Sequence, residues 1–179
     1  MAEEDTRSFA DERRRLLGEL DLERKQLVRN IETCRIRDID RPIIGEWSLK
    51  DIVGHVSSWE AEIVTALRDA SEGRRPGLLD FDESTTDTWN ADHVERKRSL
   101  NFWSVLEQLK DGRERLLELL ADFSNADVGE PGRVPNRLVA SIVEHDREHW
   151  HHVAAYLAGM PGVRERSLAS VPSDAGTND

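Results

Sequence analysis

Apolar residues in this chain recur at intervals of three, four and seven along four long stretches, and nowhere alternate with period two for more than a few positions. An α-helix turns about 100° per residue, so these intervals stack on one face, whereas a half-buried strand needs alternation. Residues 7–35 carry Phe9, Leu16, Leu20, Leu27, Ile31 and Cys34 on one stripe. Leu49, Ile52, Val53, Val56, Ile63 and Leu67 form a second stripe behind Ser48 and Asp51, which have the spacing of a capping box. That helix stops near the breaker "SEGRRPG". A third, about 101–124, carries Phe102, Val105, Leu106, Leu109, Leu116, Leu117 and Leu120, interrupted by Gly112, a mid-helix residue that costs about 1 kcal/mol. The fourth, 137–160, is expected to be capped by Asn136 and aligns Ile142, His149, Val153 and Met160.

Each of these helices has one face to hide, and with no sheet to cover it they must pack on one another. The expected fold class is all-α, a four-helix bundle. The polar segments "RIRDIDRPIIGEW" and "NADVGEPGRVPN" read as loops. The 73–100 connection is long enough for a crossover, with a short helix predicted in "DTWNADHVERKR". There Asn90 is expected to cap the helix or, failing that, to project inward. One domain is expected over residues 1–165. Residues 166–179, rich in Ser, Pro, Gly and Asp, read as a disordered tail.

A net charge of −11 disfavours a nucleic-acid partner, which wants clustered positive surface, and equally an anionic membrane. The basic runs "RRR" at 13–15 and "RKR" at 96–98 read as solvated helix faces. The single Cys34 has no disulfide partner and reads as a small buried hydrophobe. No apolar run approaches the roughly 20 residues a bilayer span needs. The opening "MAEEDTRS" lacks the pattern of a signal peptide, so a cytoplasmic location is expected.

The segment "IVEHDREHWHHVAAYL" holds four of the six histidines. His145 and His149, one turn apart, ride on or beside its apolar stripe, whereas His151 and His152, like His93, are expected at the surface. In "DIVGHVSSWE", His55 borders the buried face of the second helix. Neutral imidazole is a good ligand for zinc, nickel, copper and iron, and an i,i+4 pair presents two nitrogens to one ion. His55 would add a third from across the bundle. The competing reading leaves His145 and His149 at the edge of the core and His55 unrelated to them.

"EWSLKDIVGHVSSWE" resembles the second-helix signature of the DinB/YfiT-like superfamily, in which a Trp-Ser pair opens a helix bearing a ligand histidine. "EHDREHWHHVAAYL" is similar to that superfamily's fourth helix, whose HxxxH supplies two more. The middle segment, "DTWNADHVERKRSLNFWSVLEQL", resembles the ClbS/DfsB branch. Carried over residue by residue, the resemblance implies one divalent metal held by His55, His145 and His149, zinc or nickel first, with iron or manganese as alternatives. It also implies metal-dependent hydrolase or thiol S-transferase chemistry, a small-molecule substrate, a low-molecular-weight thiol as co-substrate, and a homodimer. The ClbS/DfsB likeness implies a different role, capture or inactivation of a reactive metabolite without metal. A purely structural metal is a third possibility.

Three neutral ligands would leave an ion its full charge and an open position, the composition of a catalytic site. Glu62, Asp146 and Glu148 are candidates to orient the imidazoles, or else surface acids. Trp59, one turn from His55, is expected to pack and to wall the site, and Trp47 to staple the start of its helix. Metal retention is expected to fade below about pH 6, where ordinary imidazoles protonate.

Overall fold

The computed structural model describes residues 2–159, with side chains from residue 7 onward. Met160 and the expected tail at 166–179 lie outside the described residues. The elements are α1 (Ala2–Thr33), β1 (Pro42–Ile44), β2 (Trp47–Ser48), α2 (Leu49–Ser71), α3 (Glu83–Arg98), α4 (Phe102–Ala121), α5 (Asn125–Gly129) and α6 (Val134–Leu157). The described residues are all-α apart from the small β1–β2 hairpin. In the long helices α1, α2, α4 and α6 most of the expected stripe residues are buried, including Leu20, Leu27, Ile52, Leu67, Leu109, Leu116 and Ile142, but Leu117 is exposed, one residue round the helix from the buried Leu116, and Cys34 is only half-buried. No described helix is long and apolar enough to cross a membrane.

α1 packs on α6, α6 on α2, and α2 on α4, while α3, the expected helix of the crossover, lies against α2. α4 and α1 meet through arginines. Arg113 donates to the Leu20 carbonyl at 2.7 Å, and Arg24 to that of Leu109 at 3.2 Å. Arg13, expected as part of a solvated face, donates to the carbonyls of Leu120 and Phe123 at the end of α4 (2.8 and 2.6 Å). The last carbonyls of a helix lack the usual bond from four residues on, so the guanidinium helps to close the helix end.

Local chemistry corrects the sequence reading at four points. Pro42–Ile44 pairs antiparallel with Trp47–Ser48, because Gly45, at φ 53°, lets the chain reverse in two residues. "SNADVG" is a capped turn of helix, α5, with a Ser124–Asp127 capping box. α6 begins at Val134 with Pro135 in its first turn, which needs no side-chain cap, and Asn136 instead donates to the Val128 carbonyl at 2.8 Å. Asn90 lies buried within α3, whose cap is Asp82. The Ser48–Asp51 capping box forms as expected, with the Ser48 N–H donating to Asp51 Oδ2 at 2.9 Å.

α5 docks on α1 through Gly129. A Cβ at this position would lie 2.0 Å from the Phe9 carbonyl oxygen, and backbone cannot turn aside as a side chain can. Gly129→Ala is therefore expected to cost at least ~2 kcal/mol, the scale of overpacking in a tight core. Urea unfolding would measure it, and an unchanged midpoint would mean that α5 does not press on α1.

Charge divides the core. Arg24 of α1, Glu60 of α2, Arg113 of α4 and Asp146 of α6 meet in the interior, all buried. Arg24 grips Asp146 (2.9 and 2.9 Å) and Glu60 (3.1 and 3.0 Å) with paired bonds. Arg113 reaches Glu60 and Asp146 at 2.8 Å each. Two positive and two negative groups cancel, and every carboxylate oxygen has a donor, which makes their burial tolerable. One apolar cluster, with Leu20, Ile63, Leu116 and Ile142, lies on one side of this layer; the other, with Leu27, Val56, Leu109 and Val153, lies beyond it. Gly112 also finds its reason here, since a Cβ would press on Glu60 Oε1 at 3.2 Å.

Candidate metal centre

His55 is carried into the second half of the core by α2, two turns beyond the Ser48 cap and beside Ile52 and Val56. His145 and His149 arrive from α6, separated by one helical turn. The structure brings the three together. His55 Nε2 lies 2.8 Å from His145 Nε2, and His149 Nε2 lies 3.0 Å from the same atom. One nitrogen from each ring lies within 4.8 Å of those of the other two.

His55 and His149 are fully buried, whereas His145 is half-buried. Burial holds the imidazoles of His55 and His149 well below the usual histidine range, and it pulls His145 down to about 4. All three are therefore neutral near pH 7. A neutral imidazole nitrogen either carries one proton or offers one lone pair, so His145 Nε2 cannot make good hydrogen bonds to both neighbours. One cation among the three nitrogens would satisfy all of them. A tetrahedral ion about 2.0–2.1 Å from each nitrogen would space its ligands by about 3.4 Å, a few tenths of an ångström wider than the two separations to His145 Nε2 and inside the 4.8 Å that bounds the set. The donor set fits a divalent metal.

Aromatic rings frame the cluster. Trp47, on β2, stands 4.8 Å from His55, centre to centre, and Trp59 stands 6.3 Å from His55 and 6.4 Å from His145. Trp59 is fixed by a 2.8 Å bond from its Nε1–H to Asn90 Oδ1. It also packs on Trp89 at 4.3 Å. Asn90 thus serves the wall of the site and not the end of a helix. A buried indole N–H needs an acceptor, and the crossover helix supplies it.

The remaining polar expectations change. Asp146 follows His145 directly, yet it is fully buried and its oxygens belong to the arginines. Glu148 is half-buried, and burial raises its carboxyl. Glu62 is half-buried, and no described hydrogen bond joins it to an imidazole. The Nδ1 atoms of His55 and His149 are enclosed without a hydrogen-bond partner among the described residues. His151 is exposed as expected, stacked on Trp150 at 3.7 Å. His152 is not a surface residue: it is half-buried, 5.8 Å from His149, with its Nδ1 enclosed. His93, also half-buried, stacks on Trp89 at 3.7 Å, because both lie on one face of α3.

Glu60 and the two arginines that hold it have roles the sequence reading missed. Each charged residue of the core layer stands four positions after one stripe residue and three before another: Leu20–Arg24–Leu27, Val56–Glu60–Ile63, Leu109–Arg113–Leu116 and Ile142–Asp146–His149. The repeat of that placement in four helices was a readable signal.

Comparison with curated proteins and with solved structures returns no match. The sequence pattern of one family does match, over residues 19–153, a span that begins in α1, ends near the end of α6 and includes all three clustered histidines. It is the superfamily as a whole that matches, and no ClbS/DfsB assignment follows. With most of the chain covered and the helical architecture in accord, this protein belongs to the DinB superfamily.

Proposed function

We propose that this protein is a metal-dependent enzyme that holds one divalent ion, zinc or nickel before iron or manganese, on His55, His145 and His149. Its substrates on this reading are a small electrophile and either water or a low-molecular-weight thiol. The observation that carries the reading is the convergence of three neutral Nε2 atoms, one from each of His55, His145 and His149, inside an apolar core. Such an ion, when bound, supplies Lewis acidity that makes water or a thiol nucleophilic near neutral pH. The protein's own contribution is geometric and electrostatic. α6 sets two ligands at fixed separation, the Ser48 cap and the Arg24–Glu60–Arg113–Asp146 layer hold α2 and α6 in register, and Trp47 and Trp59 keep the surroundings apolar.

The reading is tested on untagged protein by metal analysis, then by thiol consumption with glutathione, mycothiol or bacillithiol and chlorodinitrobenzene, alongside ester hydrolysis. About one ion per chain and turnover that disappears with a chelator and returns with metal are expected. A chain that neither contains nor takes up a divalent ion would overturn it.

A further inference from the structure

On the other side of α2 from the histidines lies a cleft of about 380 Å³. Ser57, Ala61, Val64, Thr65 and Arg68 of α2 line one wall, and Gln108, Asp111, Gly112 and Arg115 of α4 the other. Lys97, at the last turn of α3, closes one end. Ser57 follows His55 by two residues, about 200° around the helix, so the cleft and the histidine cluster face opposite ways.

The basic run containing Lys97 was expected to be a solvated face, but Lys97 is half-buried and its Nζ donates to the buried Ser57 hydroxyl. Room for its stem comes from Gly54, where a Cβ would lie 3.2 Å from Lys97 Cδ. Lys97, Arg68 and Arg115 form no ion pair among the described residues, although the chain carries 36 acidic groups against 25 basic ones. The one carboxylate in the cleft, Asp111, is outnumbered. Three cations share a volume suited to a small ligand without an anion of their own. Desolvation brings the Lys97 ammonium down to about 8, which is the cost of burying a charge whose only hydrogen-bonding partner among the described residues is a hydroxyl.

We propose that this cleft is a second ligand site, independent of the histidine cluster, which binds a small organic dianion, a phosphate ester or a dicarboxylate, through Lys97, Arg68 and Arg115. The two guanidinium groups sit at the open rim, where planar forks suit phosphate or carboxylate oxygens. Lys97 provides a recessed point charge held in place by Ser57. Val64 and Ala61 offer apolar surface to the carbon skeleton.

Calorimetric titration of the full chain with inorganic pyrophosphate and, separately, with succinate tests this. Saturable one-site binding to at least one of them is expected, and the preferred probe distinguishes phosphate from dicarboxylate. Lys97→Gln should weaken binding by about tenfold, and Arg68→Gln or Arg115→Gln by roughly three- to tenfold, each removing one charge-assisted bond. The two arginines are exposed, so these variants keep the fold even if Lys97→Gln does not. Arg14→Gln, on the exposed face of α1, should leave the affinity unchanged, and so should His145→Ala. The proposal is overturned if neither probe saturates, if the cleft variants bind as the parent does, if Arg14→Gln weakens binding as much as they do, or if only His145→Ala abolishes it.

Discussion

Alanine in place of His55, His145 or His149 is expected to strip most of the bound divalent ion, while His151→Ala retains it. The first three rings converge in the core, whereas His151 is exposed on the same helix and serves as an internal control. His152 does not serve equally well, because it lies half-buried beside His149. An ion that binds only the folded state at a free concentration a hundred times its Kd contributes about 2.7 kcal/mol, so the ligand variants should also lose the chelator-sensitive part of their melting temperature. Metal analysis and melting with and without chelator read both effects. Stoichiometric metal in the His149→Ala variant would refute the shared site.

Acidity should act later than the sequence suggests. Burial holds His55 and His149 well below the ordinary range and brings His145 to about 4, so protons compete for the folded site only under more acidic conditions than pH 6. The unfolded imidazoles still protonate near 6.5. Histidines depressed in the folded state therefore give stability that is fully present above that value and is lost as pH falls toward their folded values. Metal-free protein should begin to lose stability below about pH 6.5. A melting temperature flat from pH 7 to 4.5 would contradict the burial of these rings.

Asp146→Asn is expected to be the most damaging single change outside the histidines. It leaves Arg24 and Arg113 buried against Glu60 alone, and breaking a buried ion pair from one side costs about 3–5 kcal/mol. For a chain of this size that corresponds to a fall in melting temperature of roughly 10 °C. Replacing a whole ion pair with apolar residues, Arg113→Met with Glu60→Leu, should cost less than the two single changes added together, since no charge in that pair is left without its partner. Raising the salt concentration should do little to the parent, because the layer is screened far less than surface pairs. Burial alone would raise the Asp146 carboxyl, but Arg24 and Arg113 outweigh it and hold the group below the ordinary carboxylate range. Its contribution is thus present above about pH 4 and lost as pH falls through the depressed value. Additive costs in the double variant would show that the four groups do not act as one layer.

The histidine spacing and the helical stripes were legible in the sequence because both are local. Residues three or four apart must share a helix face wherever that helix packs, so Leu20, Leu27, Ile52, Leu67, Leu109 and Ile142 could be assigned to the interior without a structure. His145 and His149 could be paired on the same ground, and Ser48 and Asp51 joined in a cap. How separate faces meet is not local. That His55 reaches the other two rings, that Asn90 turns from a cap into the acceptor for Trp59, and that Lys97 leaves a basic run to line a cleft all depend on how α2, α3, α4 and α6 are set against one another. The charged layer shows the limit most clearly. Arg24, Glu60, Arg113 and Asp146 each stand on the apolar stripe of their own helix, where a lone charge has no partner to make its burial tolerable. Only when four helices place two cations and two anions at one level do the charges cancel, and that cancellation is what allows them to stay buried.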